Sequence, residues 1–394
     1  MKQKNILYSI LILTVVIFFG CENELTPPIK YESPRNASPI ITSISPTSGL
    51  AGVTKITITG QNFSTIKSEN IVYFNQQIVS IDSATSTKII LVSPNIAKDS
   101  IKVKIAVLKA EEFSNTVFVK LEAAISEFGN FGTIDEPWGT TTDNDGNMYV
   151  SLIISGAGVG IKKITSAGVK SDYATSPGVT KFSNLRMGPD GFLYAARVVK
   201  AIYRIPVGGG TSSIWISFGQ LGTIFDFEFD ANGNIWAGGN NDFVNSIKPD
   251  KTVKQFALVG NVRSVKVNNN FLYVAGTFNN AEKIMRAQIF SADSLSSWEE
   301  YFNLTTSSAG GSGINLFAIG FASDGNIYLG TDASTPIIVL KENKSIVPLY
   351  PGVLSPLFHI FAKGPIGYIY GIQGIGSAGS VTNSKKIFKI VVLQ

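Results

Sequence analysis

The segment Asp145-Gly146-Asn147-Met148-Tyr149 decides the fold, because variants of it return five more times in the last two-thirds of the chain. Each copy is a turn, often Asp-Gly or Asn-Gly, followed by two residues and an aromatic. The copies are 145–149, 190–194, 232–236, 269–273, 324–328 and 366–370, and successive aromatics lie 37 to 55 residues apart. A period of this length accommodates one four-stranded sheet per copy. The repeat therefore predicts a six-bladed β-propeller in an all-β chain, over residues 122–394.

Runs of β-forming residues lie between these copies. Counted as four strands per blade, they supply every strand of six blades except one outer strand. The chain stops after the third strand of the sixth blade. We expect residues 123–128 to supply the missing strand by pairing with that C-terminal blade. This pairing would close the ring and remove the exposed edges that an open array of sheets presents.

A separate pattern of short β-rich runs and turn clusters covers residues 38–121 and predicts a β-sandwich. Its phrases Ile44-Ser45-Pro46-Thr47-Ser48-Gly49 and Ile56-Thr57-Ile58-Thr59-Gly60-Gln61-Asn62-Phe63 resemble the IPT/TIG immunoglobulin-like domain. The resemblance implies a spacer or stalk. We expect its aromatic residues to be core or edge packing, namely Phe63, Tyr73, Phe74, Phe113 and Phe118.

The N-terminus has the layout of a secretory leader, with Lys2 and Lys4 before an apolar run that is too short to span a bilayer comfortably. The phrase at 18–21 resembles the bacterial lipobox, which implies cleavage after residue 20 and acylation of Cys21. Residues 21–37 then form a lipidated tether. We therefore expect an outer-membrane lipoprotein of the cell envelope, exposed at the surface and held to the membrane by its N-terminal lipid.

Composition excludes several classes of function. The net charge of +5 is spread along the chain without a basic block, so nucleic acid is not expected as a partner. One Cys permits no internal disulfide, and one His excludes most His-based metal sites. Carboxylates alone could hold Ca²⁺, but we expect no metal and no cofactor. No G-x-S-x-G segment and no phosphate-binding loop occurs. Asp226 and Glu228, on one face of a strand, are a weak candidate for an acid/base pair.

The stretch 137–150 resembles the NHL repeat of β-propellers. In NHL-like propellers, the position eleven residues before each aromatic lies towards one mouth of the central channel. Here those positions are Trp138, Ser183, Phe225, Val262, Phe317 and His359, and polar residues adjoin three of them. The predicted ligand-binding set is Trp138, Asn184, Phe225, Asp226, Arg263, Phe317 and His359.

Aromatic faces beside a few hydrogen-bonding groups suit sugar rings, so the leading hypothesis is non-enzymatic binding of a glycan. A protein-interaction or scaffold module that uses the same propeller face is the second hypothesis. A lyase or hydrolase of the NHL-like propeller type is the third, and the single His disfavours it. A funnel lined by Trp and Phe with Asn and Asp favours sugar, whereas a broad apolar patch favours a protein partner.

Overall fold

The computed structural model describes residues 36–178, 180–198, 201–217, 219–311, 313–377 and 380–392. The predicted leader 1–20, Cys21 and nearly all of the predicted tether 21–37 lie outside the described residues. Within the described ranges the chain is all-β, as predicted, and adds only two short 3-10 helices, Lys67–Glu69 and Gly219–Leu221.

No helix among the described residues combines the length and apolar character needed to cross a membrane.

Contacts between Cα atoms divide the chain into two units. The first consists of Met1–Thr47, Ile56–Leu91 and Ile101–Val119. The second consists of Ser48–Lys55, Val92–Ser100 and Lys120–Gln394.

The first nine strands form two sheets in the region predicted to be a sandwich. They are β1 (Ile40–Ser45), β2 (Ser48–Leu50), β3 (Lys55–Gln61), β4 (Asn70–Phe74), β5 (Gln77–Val79), β6 (Ile81–Ala84), β7 (Lys88–Val92), β8 (Lys98–Val107) and β9 (Val117–Glu122). One sheet has the order β1-β3-β7-β6 and the other has the order β2-β9-β8-β4-β5. Apolar residues alternate with exposed ones along β3 and β8, so each sheet presents one apolar face to a core.

The aromatic residues of this region do not all pack inside it. Phe63 and Phe74 are buried, as expected. Phe113 and Phe118 are 53% and 54% exposed, so of the expected core or edge positions they do not occupy the core. Phe113 instead lies edge-on against Tyr73 on the surface, with 5.7 Å between ring centroids.

The remaining strands all lie in the second unit. They are β10 (Ile125–Phe128), β11 (Asp135–Thr142), β12 (Met148–Ile154), β13 (Ala157–Ile164), β14 (Lys170–Thr175), β15 (Phe182–Met187), β16 (Leu193–Arg197), β17 (Ala201–Ile205), β18 (Gly210–Thr211), β19 (Ser213–Ser217), β20 (Asp226–Phe229), β21 (Ile235–Gly238), β22 (Asn240–Ile247), β23 (Val253–Asn268), β24 (Phe271–Phe278), β25 (Ala281–Ser291), β26 (Ser294–Leu295), β27 (Glu299–Asn303), β28 (Leu316–Phe321), β29 (Ile327–Thr331), β30 (Ile337–Leu340), β31 (Ile346–Pro348), β32 (Phe358–Lys363), β33 (Tyr368–Ser377) and β34 (Ser380–Val391).

Most successive strands pair as antiparallel meanders, whereas β14 and β18 pair in parallel. The described sheets have the orders β11-β12-β13-β14-β18, β15-β16-β17-β19, β20-β21-β22-β23-β24-β25-β26, β28-β29-β30-β31 and β10-β34-β33-β32. In the largest of them, β27 also pairs with β25.

The long strand β23 explains why two predicted blades share one sheet. Its first half pairs with β22, from Val253 to Asn261. Its second half pairs with β24, from Asn261 to Asn268. One continuous strand is therefore the outer strand of one repeat and the innermost strand of the next.

The predicted pairing of residues 123–128 with the C-terminal blade is confirmed. Strand β10 is antiparallel to β34, with Ile125 opposite Ile390 and Phe128 opposite Ile387. Strand β10 therefore completes the sheet that β32 begins.

The innermost strands contact one another in succession around the unit. Strand β11 contacts β15, which contacts β20, and the series continues through β23, β28 and β32. The last of these, β32, contacts β11 again. The contacts therefore run through six strands of successive repeats and return to the first.

The repeated turn is fixed by an acidic side chain that binds the aromatic. Asp143 accepts a hydrogen bond from the Tyr149 hydroxyl at 3.0 Å, and Asp230 accepts one from Trp236 Nε1 at 3.0 Å. Asp190 and Asp324 accept the equivalent bonds from the tyrosines of their own repeats. The turn glycine Gly146 has a φ of 78°, the left-handed conformation for which Asp-Gly turns are favoured. Asp143 and Asp230 lie six residues before the aromatic and Asp190 and Asp324 lie four before it, so in these four repeats a hydrogen bond joins the turn to the strand.

Candidate functional site

A cavity of about 280 Å³, here called the first cavity, lies near the start of the six innermost strands. All seven residues of the predicted ligand-binding set line it, namely Trp138, Asn184, Phe225, Asp226, Arg263, Phe317 and His359. The structure therefore brings together residues that are separated by more than 200 positions in the sequence. That they bind a ligand remains a prediction.

Irregular strand pairing occurs at four of these seven residues, namely Trp138, Arg263, Phe317 and His359. The pairing of β15 with β16 skips Ser183, and the pairing of β23 with β24 skips Arg263. Phe317 and His359 are skipped in the same way in their own sheets. A bulge leaves one residue without a partner and turns its side chain, which is why this position lines the cavity in successive repeats.

In the pairing of β11 with β12, the two residues between Pro137 and Thr140 have no partner, and Trp138 is the first of them. The second of these is Gly139, where a Cβ atom would lie 2.6 Å from the Asn184 Cα. Glycine is therefore needed for β11 to approach β15 this closely.

The apolar wall of the first cavity is mainly aromatic. Trp138 is partly buried and its ring centroid lies 5.1 Å from that of His359. Phe225 is also partly buried, whereas Phe317 is only 3% exposed and sits 5.8 Å from the Arg263 guanidinium carbon. Trp138 and Phe225 therefore present the most accessible aromatic surface to a ligand.

His359 is a neutral part of this wall. It is buried, and its Nε2 atom lies 2.9 Å from the Ser384 hydroxyl. Burial lowers the pKa of His359 to about 3. The imidazole is therefore uncharged at neutral pH and contributes shape and a ring nitrogen to the cavity.

Asp226 forms the centre of a buried hydrogen-bond network. Its Oδ1 atom accepts bonds from Asn184 Nδ2 at 2.6 Å, from Arg186 Nη2 at 2.7 Å and from its neighbour's backbone N–H. Its Oδ2 atom accepts bonds from the Val265 N–H at 2.7 Å, from Lys266 Nζ at 3.1 Å and from the Ser264 hydroxyl. The predicted polar residues Asn184 and Asp226 therefore bind each other and the strands around them.

The charges of this network are balanced. Arg186 Nε lies 2.8 Å from Glu228 Oε2, so two cations face two carboxylates. Burial alone would raise the pKa of Asp226, but Arg186 and Lys266 outweigh it and hold the pKa below its ordinary value. The same burial, reinforced by the Arg186 charge, lowers the pKa of Lys266. Because both carboxylates bind Arg186, the arrangement does not support an acid/base pair of Asp226 and Glu228.

Arg263 is held by a second ion pair. Its guanidinium binds Glu282, and it also donates to the Leu316 carbonyl at 2.7 Å and to the Thr277 hydroxyl at 3.0 Å. Glu282 in turn accepts the Leu316 N–H at 2.7 Å. The Arg263 side chain is therefore fixed in orientation at the cavity wall.

A second cavity of about 1620 Å³ lies at the opposite ends of the same strands. The last residue of each innermost strand lines it, namely Thr142, Met187, Phe229, Asn268, Phe321 and Lys363. Lys266 lines both cavities. Phe361 also lines both, whereas Asp226 lines the first and Arg186 and Glu228 line the second, so the Asp226 network lies between the two cavities.

Several lining residues of the first cavity were not in the predicted set. They are Ser183, Val198, Asn261, Ser264, Lys266, Ala318, Ile360 and Phe361. Ser183 follows from the eleven-residue spacing, and Ser264, Ala318 and Ile360 each directly follow a skipped residue. Asn261 carries no such signal, because it lies at the crossing point of the long strand β23.

No group of three or more His, Cys, Asp or Glu side chains suited to a metal ion occurs within the described ranges.

Residues 39–119 match the IPT/TIG domain family. No curated protein matches the sequence.

Solved structures share the fold over most of the chain. A putative phosphatase from Bacteroides thetaiotaomicron is 12% identical, with a TM-score of 0.56 over 91% of this chain and 99% of that one. An auxiliary nutrient binding protein from the same organism is 13% identical, with a TM-score of 0.51 over 90% and 98%. A virginiamycin B lyase from Staphylococcus aureus is 17% identical over 68% of this chain and 98% of that one, but its TM-score of 0.47 carries no argument. At such identities the likeness shows the fold alone.

Proposed function

We propose that the second unit is a six-bladed β-propeller closed by β10, and that its first cavity binds a glycan without chemical conversion. The convergence of Trp138, Phe225 and the polar side chains on one cavity carries this proposal. Accessible aromatic faces beside orienting hydrogen-bond groups form the kind of wall that sugar rings require. The likeness to an auxiliary nutrient binding protein supports a role in ligand capture.

The proposal places the protein in the cell envelope as an outer-membrane lipoprotein exposed at the surface. Acylation of Cys21 would hold the chain to the membrane, and the IPT/TIG region would act as a spacer. This order leaves the propeller as the ligand-binding head. It rests on the leader pattern of the sequence.

A protein-interaction module of the envelope is the second candidate function. It would use the same face of the propeller, but the observed site is a concave cavity with polar groups. A lyase or hydrolase is a weaker candidate because the carboxylates beside the cavity are occupied by Arg186, Lys266 and Arg263.

A glycan-binding assay with matched tryptophan variants tests the proposal. Full-length protein in a non-glycosidic detergent is screened against a polysaccharide panel, beside Trp138→Ala and Trp298→Ala. Trp298 bonds to the Ala257 carbonyl outside the first cavity and serves as the control. We expect binding that Trp138→Ala abolishes and Trp298→Ala retains. Absence of binding across the panel would favour a protein partner, which pull-down from envelope extracts would identify.

The membrane anchor is tested separately. Cells given labelled palmitate should incorporate it into the wild-type chain and not into Cys21→Ser. Equal labelling of both chains, or of neither, would contradict lipidation at this residue.

A further inference from the structure

We infer that the first cavity takes an uncharged sugar residue in preference to an acidic one, with Asn261 as a hydrogen-bond acceptor for a ligand hydroxyl. This inference rests on the proposed glycan-binding function and adds the class of glycan. It follows from the charge balance of the cavity and from one unsatisfied polar atom.

Each charge on or behind the cavity wall has a partner among the described residues. Arg263 is paired with Glu282, and Lys266 is paired with Asp226. Arg186 lies behind the wall and bridges Asp226 and Glu228. Three cations therefore face three carboxylates, and the sum of their charges is zero.

An acidic sugar would disturb this balance. Its carboxylate would compete with Asp226 for Lys266, or with Glu282 for Arg263. Asp226 is only 2% exposed and Glu282 is 7% exposed, so the displaced carboxylate would stay buried without full compensation. Breaking a buried ion pair in this way is strongly unfavourable, whereas an uncharged sugar leaves both pairs intact.

Asn261 offers the neutral contact. It lines the first cavity, and its Oδ1 atom is buried without a hydrogen-bond partner in the described part of the chain. A buried acceptor without a partner is unfavourable in the free protein. Rotation of the Asn261 amide towards the cavity would let a sugar hydroxyl donate to this atom, which would remove that penalty on binding.

Paired ligands that differ only in charge provide the test. The probes are cellohexaose, maltohexaose and mannohexaose, each beside the same oligomer oxidised at C6 to its uronate form. Binding to the full-length protein is measured by calorimetry at pH 7.5. We expect at least one neutral oligomer to bind at least tenfold more tightly than its uronate form.

Two variants test which residues determine the preference for the neutral oligomer. Glu282→Gln removes the counter-charge of Arg263, and we expect it to reduce the neutral-to-acidic ratio by about tenfold. Asn261→Ala should weaken neutral binding by about tenfold without lowering the thermal midpoint, because it removes an unsatisfied group. Asn268→Ala is the control, since Asn268 lines only the second cavity.

The outcomes separate the two proposals. A uronate form that binds as tightly as its neutral partner would overturn the inference and leave glycan binding intact. No binding of any oligomer, in either form, would overturn both. Unchanged neutral binding by Asn261→Ala would overturn the role of Asn261. The wild-type ratio decides the charge preference even if Glu282→Gln fails to fold.

Discussion

Asp226 binds two cationic side chains in the interior, where water cannot solvate their charges. It is 2% exposed and binds both Arg186 and Lys266. Such an ion pair adds little net stability over an apolar core, but removing one partner leaves the others uncompensated. The residue is therefore structural first, and it shapes the cavity by fixing Asn184 and Lys266.

Asp226→Asn should accordingly be much more harmful than loss of an exposed carboxylate. We expect it to reduce the free energy of unfolding by about 3–5 kcal/mol. Asp172→Asn, which breaks a surface pair with Lys162, should cost about 1 kcal/mol or less. Urea unfolding at pH 7 measures both. Similar small losses for the two variants would contradict a buried, charge-balanced network.

His359 makes stability depend on pH. Its folded pKa of about 3 lies below the value of about 6.5 expected for an unfolded chain, so the unfolded state binds more protons between these values. Its contribution is complete above about pH 6.5 and is lost as the pH falls towards 3. Between pH 7.5 and pH 5.0, the wild type should lose about 2 kcal/mol more than His359→Gln. Equal losses in the two proteins by urea unfolding would show that His359 titrates normally.

At the scale of strands, bulges at equivalent positions of several repeats place side chains in the first cavity. The repeat spacing was enough to predict Trp138, Phe317 and His359 as lining residues, because each occupies the same irregular position in its sheet. In the fourth repeat the skipped residue is Arg263 rather than Val262, which is fully buried. The spacing alone does not locate this shift of one residue.

The strand β10 offers the most direct test of how the second unit is completed. Ser126 lies opposite Lys389, and directly opposed Cα atoms in an antiparallel pair are about 4.5–5.5 Å apart, which a disulfide can bridge. In a Cys21→Ser background, Ser126→Cys with Lys389→Cys should oxidise to one intramolecular disulfide, seen by mass spectrometry. Ser126→Cys with Lys385→Cys is the control, since four residues of strand span about 13 Å. Equal cross-linking of the two pairs would contradict the register.

At the scale of the molecule, the sequence predicts the all-β architecture and the pairing of residues 123–128, because both depend on local periodicity and turn chemistry. It does not predict that one strand, β23, would serve two repeats. A turn is expected between the repeats, but β23 runs from its pairing with β22 into its pairing with β24 without a break. The network around Asp226 was also missed. Its members come from three strands, and ion pairs between distant strands leave no spacing in the sequence.

This network also gives the second unit its internal organisation. It lies between the first cavity and the larger second cavity, because Asp226 lines the first and Arg186 and Glu228 line the second.

The location of the ligand is tested most directly by fluorine NMR. The chain contains four tryptophans, and 5-fluorotryptophan labelling gives one signal for each, assigned with single Trp→Phe variants. Titration with the neutral oligosaccharide that binds most tightly should shift the Trp138 signal and leave Trp215, Trp236 and Trp298 in place. A shift at Trp215 or Trp298 with Trp138 unchanged would place the ligand outside the first cavity and contradict this account.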